Sequence, residues 1–140
     1  MVAEQRTDLD ACRALYDLYL HSMRRNRAMP KYSWAWVDAI RRHLCPIGAA
    51  RVFLARLDGE AIAGLLVVDS ASTRHYLVGG FRSDTLRHGP NDFLLAEALK
   101  DAFGIGLERF DFLPSGPGDL ALDRFKRKWG AMRCLTGRWT

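Results

Sequence analysis

Two apolar runs, residues 51–57 and 61–68, meet at Asp58-Gly59-Glu60, and this junction constrains the fold more than any other feature. Asp-Gly between strand-forming segments accepts the positive φ of a tight hairpin turn. A third run, residues 74–80, follows the small polar turn Ser70-Ala71-Ser72-Thr73. Together they predict an antiparallel meander of three strands.

Helices flank the meander. From Asp8, an expected N-cap, the residues Leu9, Cys12, Leu15, Tyr16, Tyr19 and Met23 recur at three- and four-residue steps and predict a helix to Arg25. Met29-Pro30 stops it. Ser33 caps a second helix to Leu44, closed by Cys45-Pro46-Ile47-Gly48. After the meander, Pro90 suits the first turn of a third helix to about Phe103, apolar around much of its circumference and so expected to be central and buried. Residues 107–113 read as a short strand that the helix makes a parallel neighbour of 74–80. Asp119 opens a last helix to Trp129, and residues 132–139 return as a strand. The expected order is α-α-β-β-β-α-β-α-β, with residues 2–6 the one segment able to supply an earlier strand.

At 140 residues the chain suits a single domain, 1–140, able to bury a core without metal or disulfide. The longest apolar run, residues 61–68, is far shorter than a membrane span, and the polar start (VAEQRTD) carries no secretory signal. Cys12, Cys45 and Cys134 lack metal-ligand spacing and read as buried reduced thiols, which fits a cytoplasmic protein. The net charge is +5, and residues 124–140 contain no acid. Such a basic stretch attracts phosphate, whether of a nucleotide, coenzyme A or tRNA; it also serves simply as a soluble surface. General nucleic-acid binding lacks a supporting motif.

Four segments in order carry a family likeness: residues 76–80 (YLVGG), 86–95 (LRHGPNDFLL), 109–115 (RFDFLPS) and 125–131 (FKRKWGA). They resemble the FemAB-like branch of the GNAT N-acyltransferase superfamily, over roughly residues 10–140. The resemblance implies an α+β, three-layer α/β/α fold: a mixed, mostly antiparallel sheet with a splayed parallel strand pair. It also implies transfer of an acyl or aminoacyl group, from acyl-coenzyme A or aminoacyl-tRNA, to a primary amine on a small molecule or peptide. No tightly bound cofactor and no metal are expected. FemAB-like proteins usually carry two such domains, so a homodimer or a partner GNAT domain would complete the acceptor site, or the chain is a domain of something longer.

In the family's phosphate cradle, [QR]-x-x-G-x-[GA], only Gly89 matches here. Leu86 replaces Gln or Arg, Pro90 has no N–H to donate, and Asn91 replaces a small residue. Arg82, Arg87 and His88 would supply side-chain donors instead. By resemblance Phe125 and Lys126 lie along the donor channel, with Lys126 stabilising the tetrahedral oxyanion, and Ser115 offers a backbone N–H to the acyl group. Asp111 would orient the amine or act as base, and Tyr76 is the one tyrosine near the expected groove; each of these has an ordinary structural role open to it as well. The family's usual tyrosine acid has no counterpart. The damaged cradle leaves a second reading, a non-catalytic GNAT-like interaction module.

Overall fold

The computed structural model describes residues 1–82 and 89–111. Its elements run β1 (Val2–Arg6), α1 (Leu9–Arg25), α2 (Trp34–His43), β2 (Ala50–Leu57), β3 (Glu60–Ser70), β4 (Thr73–Phe81), α3 (Pro90–Gly104) and β5 (Arg109–Asp111). They form one five-stranded sheet in the order β1-β2-β3-β4-β5, antiparallel except for the parallel β4–β5 pair. The mixed, mostly antiparallel sheet between helical layers is the architecture expected from the sequence. The expected last helix and last strand lie outside the described residues.

The order differs from the expected one at its start, where Val2–Arg6 is a strand. β1 alternates poorly, so its strand character comes from pairing along the edge of β2, from Val2 opposite Arg56 to Arg6 opposite Val52. Glu4 of β1 bonds Arg56 of β2 at 2.9 Å, tying the edge by charge rather than by a core.

Local chemistry sets the helix starts. The Asp8 carboxylate accepts from the Ala11 amide and the Ser33 hydroxyl from the Trp36 amide, both N-caps. α1 and α2 cover one face of the sheet, where Cys12, Leu15, Leu18, Val37 and Ile40 meet Val52, Leu54, Leu66 and Val78. α3 covers the other, where Leu94, Leu95 and Ala98 meet Phe53, Ile62, Leu65, Val67 and Phe110. α3 is therefore an outer layer rather than the central helix its composition suggested. Its buried residues lie on one side, and Phe103 is 57% exposed.

The connection from α1 to α2 is held by aromatic residues. The Tyr19 hydroxyl accepts from the amides of Lys31 (2.7 Å) and Tyr32 (3.2 Å), and the Tyr16 hydroxyl donates to the Tyr32 carbonyl. Tyr32 stacks on Trp36 at 4.2 Å between ring centroids.

Cys12 and Cys45 are free and buried. Burial, reinforced by the nearby Cys45, pushes the Cys12 thiol up to about 11, and burial raises Cys45 as well. Thiolate is the reactive form. Neither residue should react with iodoacetamide at pH 8 in the folded protein, and both should once it is unfolded. Mass spectrometry of alkylated peptides reads the outcome; rapid native labelling of Cys12 would contradict this placement.

Candidate active site

The pairing of β4 with β3 is irregular at one point. Leu66 pairs with Val78 but Val67 pairs with Tyr76, so Leu77 is an extra residue in β4, a bulge that bends the strand. On its other side β4 pairs with β5 over three rungs, Thr73–Arg109, Arg74–Phe110 and His75–Asp111. Among the described residues, Tyr76 to Phe81 have no registered partner on that side. Among the described residues, β4 therefore has an unpaired edge beyond a short parallel ladder.

Two glycines let other groups approach that edge. A Cβ on Gly80 would fall on the Leu18 carbonyl and within 2.7 Å of the Tyr19 amide nitrogen, so α1 lies directly on the backbone there. A Cβ on Gly79 would fall on the Tyr76 hydroxyl, which places that phenol over the edge. Beside them is a hollow of about 290 Å³. Ser22, Met23, Arg25 and Asn26 line it from the end of α1, Tyr76, Gly79, Gly80 and Phe81 from β4, and Asn91 from the start of α3.

The α3 terminus is unusual. Gly89, its N-cap, is left-handed (φ 58°, ψ 43°) and supplies no side-chain cap, and Pro90 follows. The helical ladder begins with the Phe93 amide on the Gly89 carbonyl at 3.0 Å. The amides of Asn91 and Asp92 stand outside that ladder and contribute partial positive charge. Asp92 sets a negative charge in the same turn, which reduces the pull on a phosphate.

Burial pushes the Tyr76 phenol up to about 12. It stays protonated at neutral pH and is able to donate. Asp111 is elsewhere: 6% exposed, its Oδ2 lies 3.0 Å from His75 Nδ1. His75 and Asp111 alternate with Tyr76 and Phe110 along their strands, so they face the opposite side of the sheet. Arg82 bonds Glu60 at 2.8 Å and lines a separate hollow with Asp17, His21 and Arg24. The structure therefore gathers Tyr76 and Asn91 at the open edge, with Gly89 beginning α3, and places Asp111 and Arg82 among other partners. Arg87, His88, Ser115, Phe125 and Lys126 lie outside the described residues.

Sequence reasoning missed Ser22 and Arg25. The Phe81 amide donates to Ser22 Oγ (3.0 Å) and the Arg25 guanidinium donates to the Phe81 carbonyl (2.9 Å). A signal existed: Ser22 continues the buried stripe of Leu15 and Leu18, where an apolar residue is expected.

The model of the acetyltransferase (GNAT) domain matches residues 2–127. The chain belongs to that family. GNAT domains are acyltransferases that take acetyl-coenzyme A or coenzyme A as co-substrate. FemX superposes with a TM-score of 0.82 at 16% identity, over 92% of this chain and 50% of FemX. The ribosomal-protein-S18-alanine N-acetyltransferase of Escherichia coli gives 0.75 at 12% identity, over 99% of this chain and 88% of the enzyme. The PaiA N-acetyltransferase of Thermoplasma acidophilum, solved with coenzyme A, gives 0.69 at 16% identity over 99% and 96%. At such identities these likenesses are of GNAT fold. No curated protein matches in sequence. Among the described residues, no helix is long and apolar enough to cross a membrane and no cluster of His, Cys, Asp and Glu could hold a metal.

Proposed function

We propose that this GNAT domain is a FemAB-like N-acyltransferase, moving an acyl or aminoacyl group from acyl-coenzyme A or aminoacyl-tRNA to a primary amine along the open edge of β4. The observation that carries the proposal is the bulged end of β4 with its two adjacent glycines, unpaired among the described residues beyond three parallel rungs and close to the N-terminus of α3. An extended donor can pair with such an edge, and its phosphates can reach the Asn91 and Gly89 amides. The neutral amine attacks the carbonyl carbon; the C–N bond forms, and the C–S or C–O bond of the donor then breaks. Tyr76 donates its proton to the departing thiolate or alkoxide, and the proton released by the amine returns through water to the Tyr76 phenolate. Lys126 stabilises the oxyanion, Phe125 flanks the channel, and Ser115 contributes a backbone N–H. Arg87 and His88 assist with phosphate, while Arg82, bonded to Glu60, and Asp111, paired with His75, are given no step in the transfer.

The four FemAB-like segments and the basic residues after Arg124 support a polyanionic donor, up to tRNA. Because the chain spans half of FemX, a second copy or a partner GNAT domain would complete the acceptor side, in the cytoplasm. Pro90 and Asp92 at the start of α3 favour one other reading, a GNAT-like interaction module that binds no donor.

The test is acyl transfer to a panel of amines from labelled acetyl-coenzyme A and from aminoacyl-tRNA, read by mass spectrometry, with size-exclusion to count subunits. Tyr76→Phe should lower kcat about 100-fold with donor affinity retained, as loss of a general acid does. Lys126→Ala should lower kcat as well. Unchanged kcat in either variant removes that residue from its role. If neither donor binds, the interaction module replaces the transferase.

A further inference from the structure

We infer that Arg25 recognises a carboxylate on the amine acceptor, so that the substrate is an amino acid or a peptide rather than a simple amine; this rests on the transferase reading above. Arg25 ends α1, where an arginine usually points to solvent or to the last helical carbonyls. This one reaches across to β4. Its Nη1 donates to the Phe81 carbonyl at 2.9 Å and its Nη2 to Ser22 Oγ at 3.2 Å, and its Cζ lies 4.2 Å from the centre of the Phe81 ring. Ser22 Oγ in turn accepts from the Phe81 amide. The guanidinium is held over a ring and by two hydrogen bonds at the wall of the hollow, so little freedom is lost when it binds a ligand.

Its charge is also uncompensated by a neighbouring acid. Arg41, Arg51, Arg56 and Arg74 each make an ion pair. Among the described residues, none is made by Arg25. Two of the five guanidinium N–H groups are used in the bonds above, which leaves a fork able to meet a planar carboxylate in bidentate fashion. The other described residues lining the hollow are uncharged, so the site matches one negative charge better than a phosphate dianion. Arg25 sits on the α1 side of the open edge, whereas the amides suited to donor phosphate begin α3. Arg25 and Asn91 thus line one hollow from opposite sides, and Arg25 is assigned to the acceptor and Asn91 to the donor.

The experiment pairs amino acids and dipeptides with their C-terminal amides, and L-phenylalanine also with phenethylamine. Binding is read by calorimetry and, where transfer occurs, KM and kcat are read separately. The wild-type protein should favour each carboxylate over its amide by at least about tenfold, in Kd and in KM rather than in kcat. Arg25→Lys keeps the charge but not the fork; it should bring the ratio close to one while coenzyme A binds as before. Equal affinity for acids and amides in the wild-type protein overturns the inference even if transfer is active. Loss of coenzyme A affinity in Arg25→Lys also overturns it, by assigning the arginine to donor phosphate. The calorimetric ratio stands without turnover, so failure of the transferase reading would be seen separately. If Arg25→Lys does not fold, the wild-type ratios decide alone.

Discussion

Replacing Arg74 with alanine should destabilise the domain by about 3–5 kcal/mol, the range for breaking one partner of a buried ion pair, and lower Tm by roughly 10 °C. Arg74 is fully buried. Its guanidinium binds Asp69 through two bonds (2.8 and 2.9 Å), Asp101 at 2.8 Å and the Ala98 carbonyl at 3.0 Å. Arg51 and Gln5 also bond Asp101, so the network joins β1, β2, β3, β4 and α3. Without Arg74, two carboxylates and a carbonyl lose their shared donor in a place water reaches poorly. Arg74→Met, which keeps the apolar stem, should recover little. Chemical denaturation reads the change; a loss under 1 kcal/mol would mean the network contributes little.

The same network predicts an acid limb. Burial pushes the Asp101 carboxyl up, but hydrogen bonds from Arg74 and Gln5 and the charges of Arg74 and Arg51 outweigh it and hold the group below its ordinary 3.8. Because its folded value is the lower one, its stabilisation is complete above the unfolded value and is lost as pH falls through the folded value. The gap between wild type and Arg74→Ala should therefore narrow below about pH 4.

Gly80→Ala is the second large effect. The added methyl would meet the Leu18 carbonyl and the Tyr19 amide, both backbone, so no side chain can yield and α1 must move off β4. Overpacking of this kind costs about 1–3 kcal/mol. The shift also opens the Ser22–Phe81 contact that holds the wall of the hollow, so binding of the acyl donor should weaken with stability. Two controls separate space from composition. At Gly64 the methyl would meet the side chains of Leu54 (3.1 Å) and Leu15 (3.3 Å) before any backbone, and Gly64→Ala should be milder. Gly79→Ala displaces the Tyr76 hydroxyl; it should spare stability more than Gly80→Ala while lowering kcat. Equal stability losses at Gly64 and Gly80 would contradict the close approach of α1.

The parts of this fold that were legible in the sequence are those whose cause is local. Asp58-Gly59 turned as expected, with Asp58 at φ 53° and Gly59 at φ 83°, and Asp8, Ser33 and Pro90 each start the helix they announced. What was not legible depends on partners far along the chain. β1 is a strand because β2 lies beside it some fifty residues later, and nothing within VAEQR requires it. Arg74 reads as an ordinary charged residue in a strand until Asp69, Asp101 and Gln5 are brought around it from three other elements. The bulge at Leu77 has no residue signature, yet it makes β4 irregular against β3. Arg25 reads as a helix-end cation, and only the position of Phe81 shows that it turns toward the hollow.

The most direct measurement is a titration of 15N-labelled protein with acetyl-coenzyme A and, separately, with a short aminoacylated RNA, following amide resonances. An acyl donor lying along the open edge of β4 should shift Gly79, Gly80, Phe81 and Asn91 most, with at least one of the two ligands. Shifts gathered instead around Asp17, His21 and Arg82, or none at the β4 edge with either ligand, would contradict that account.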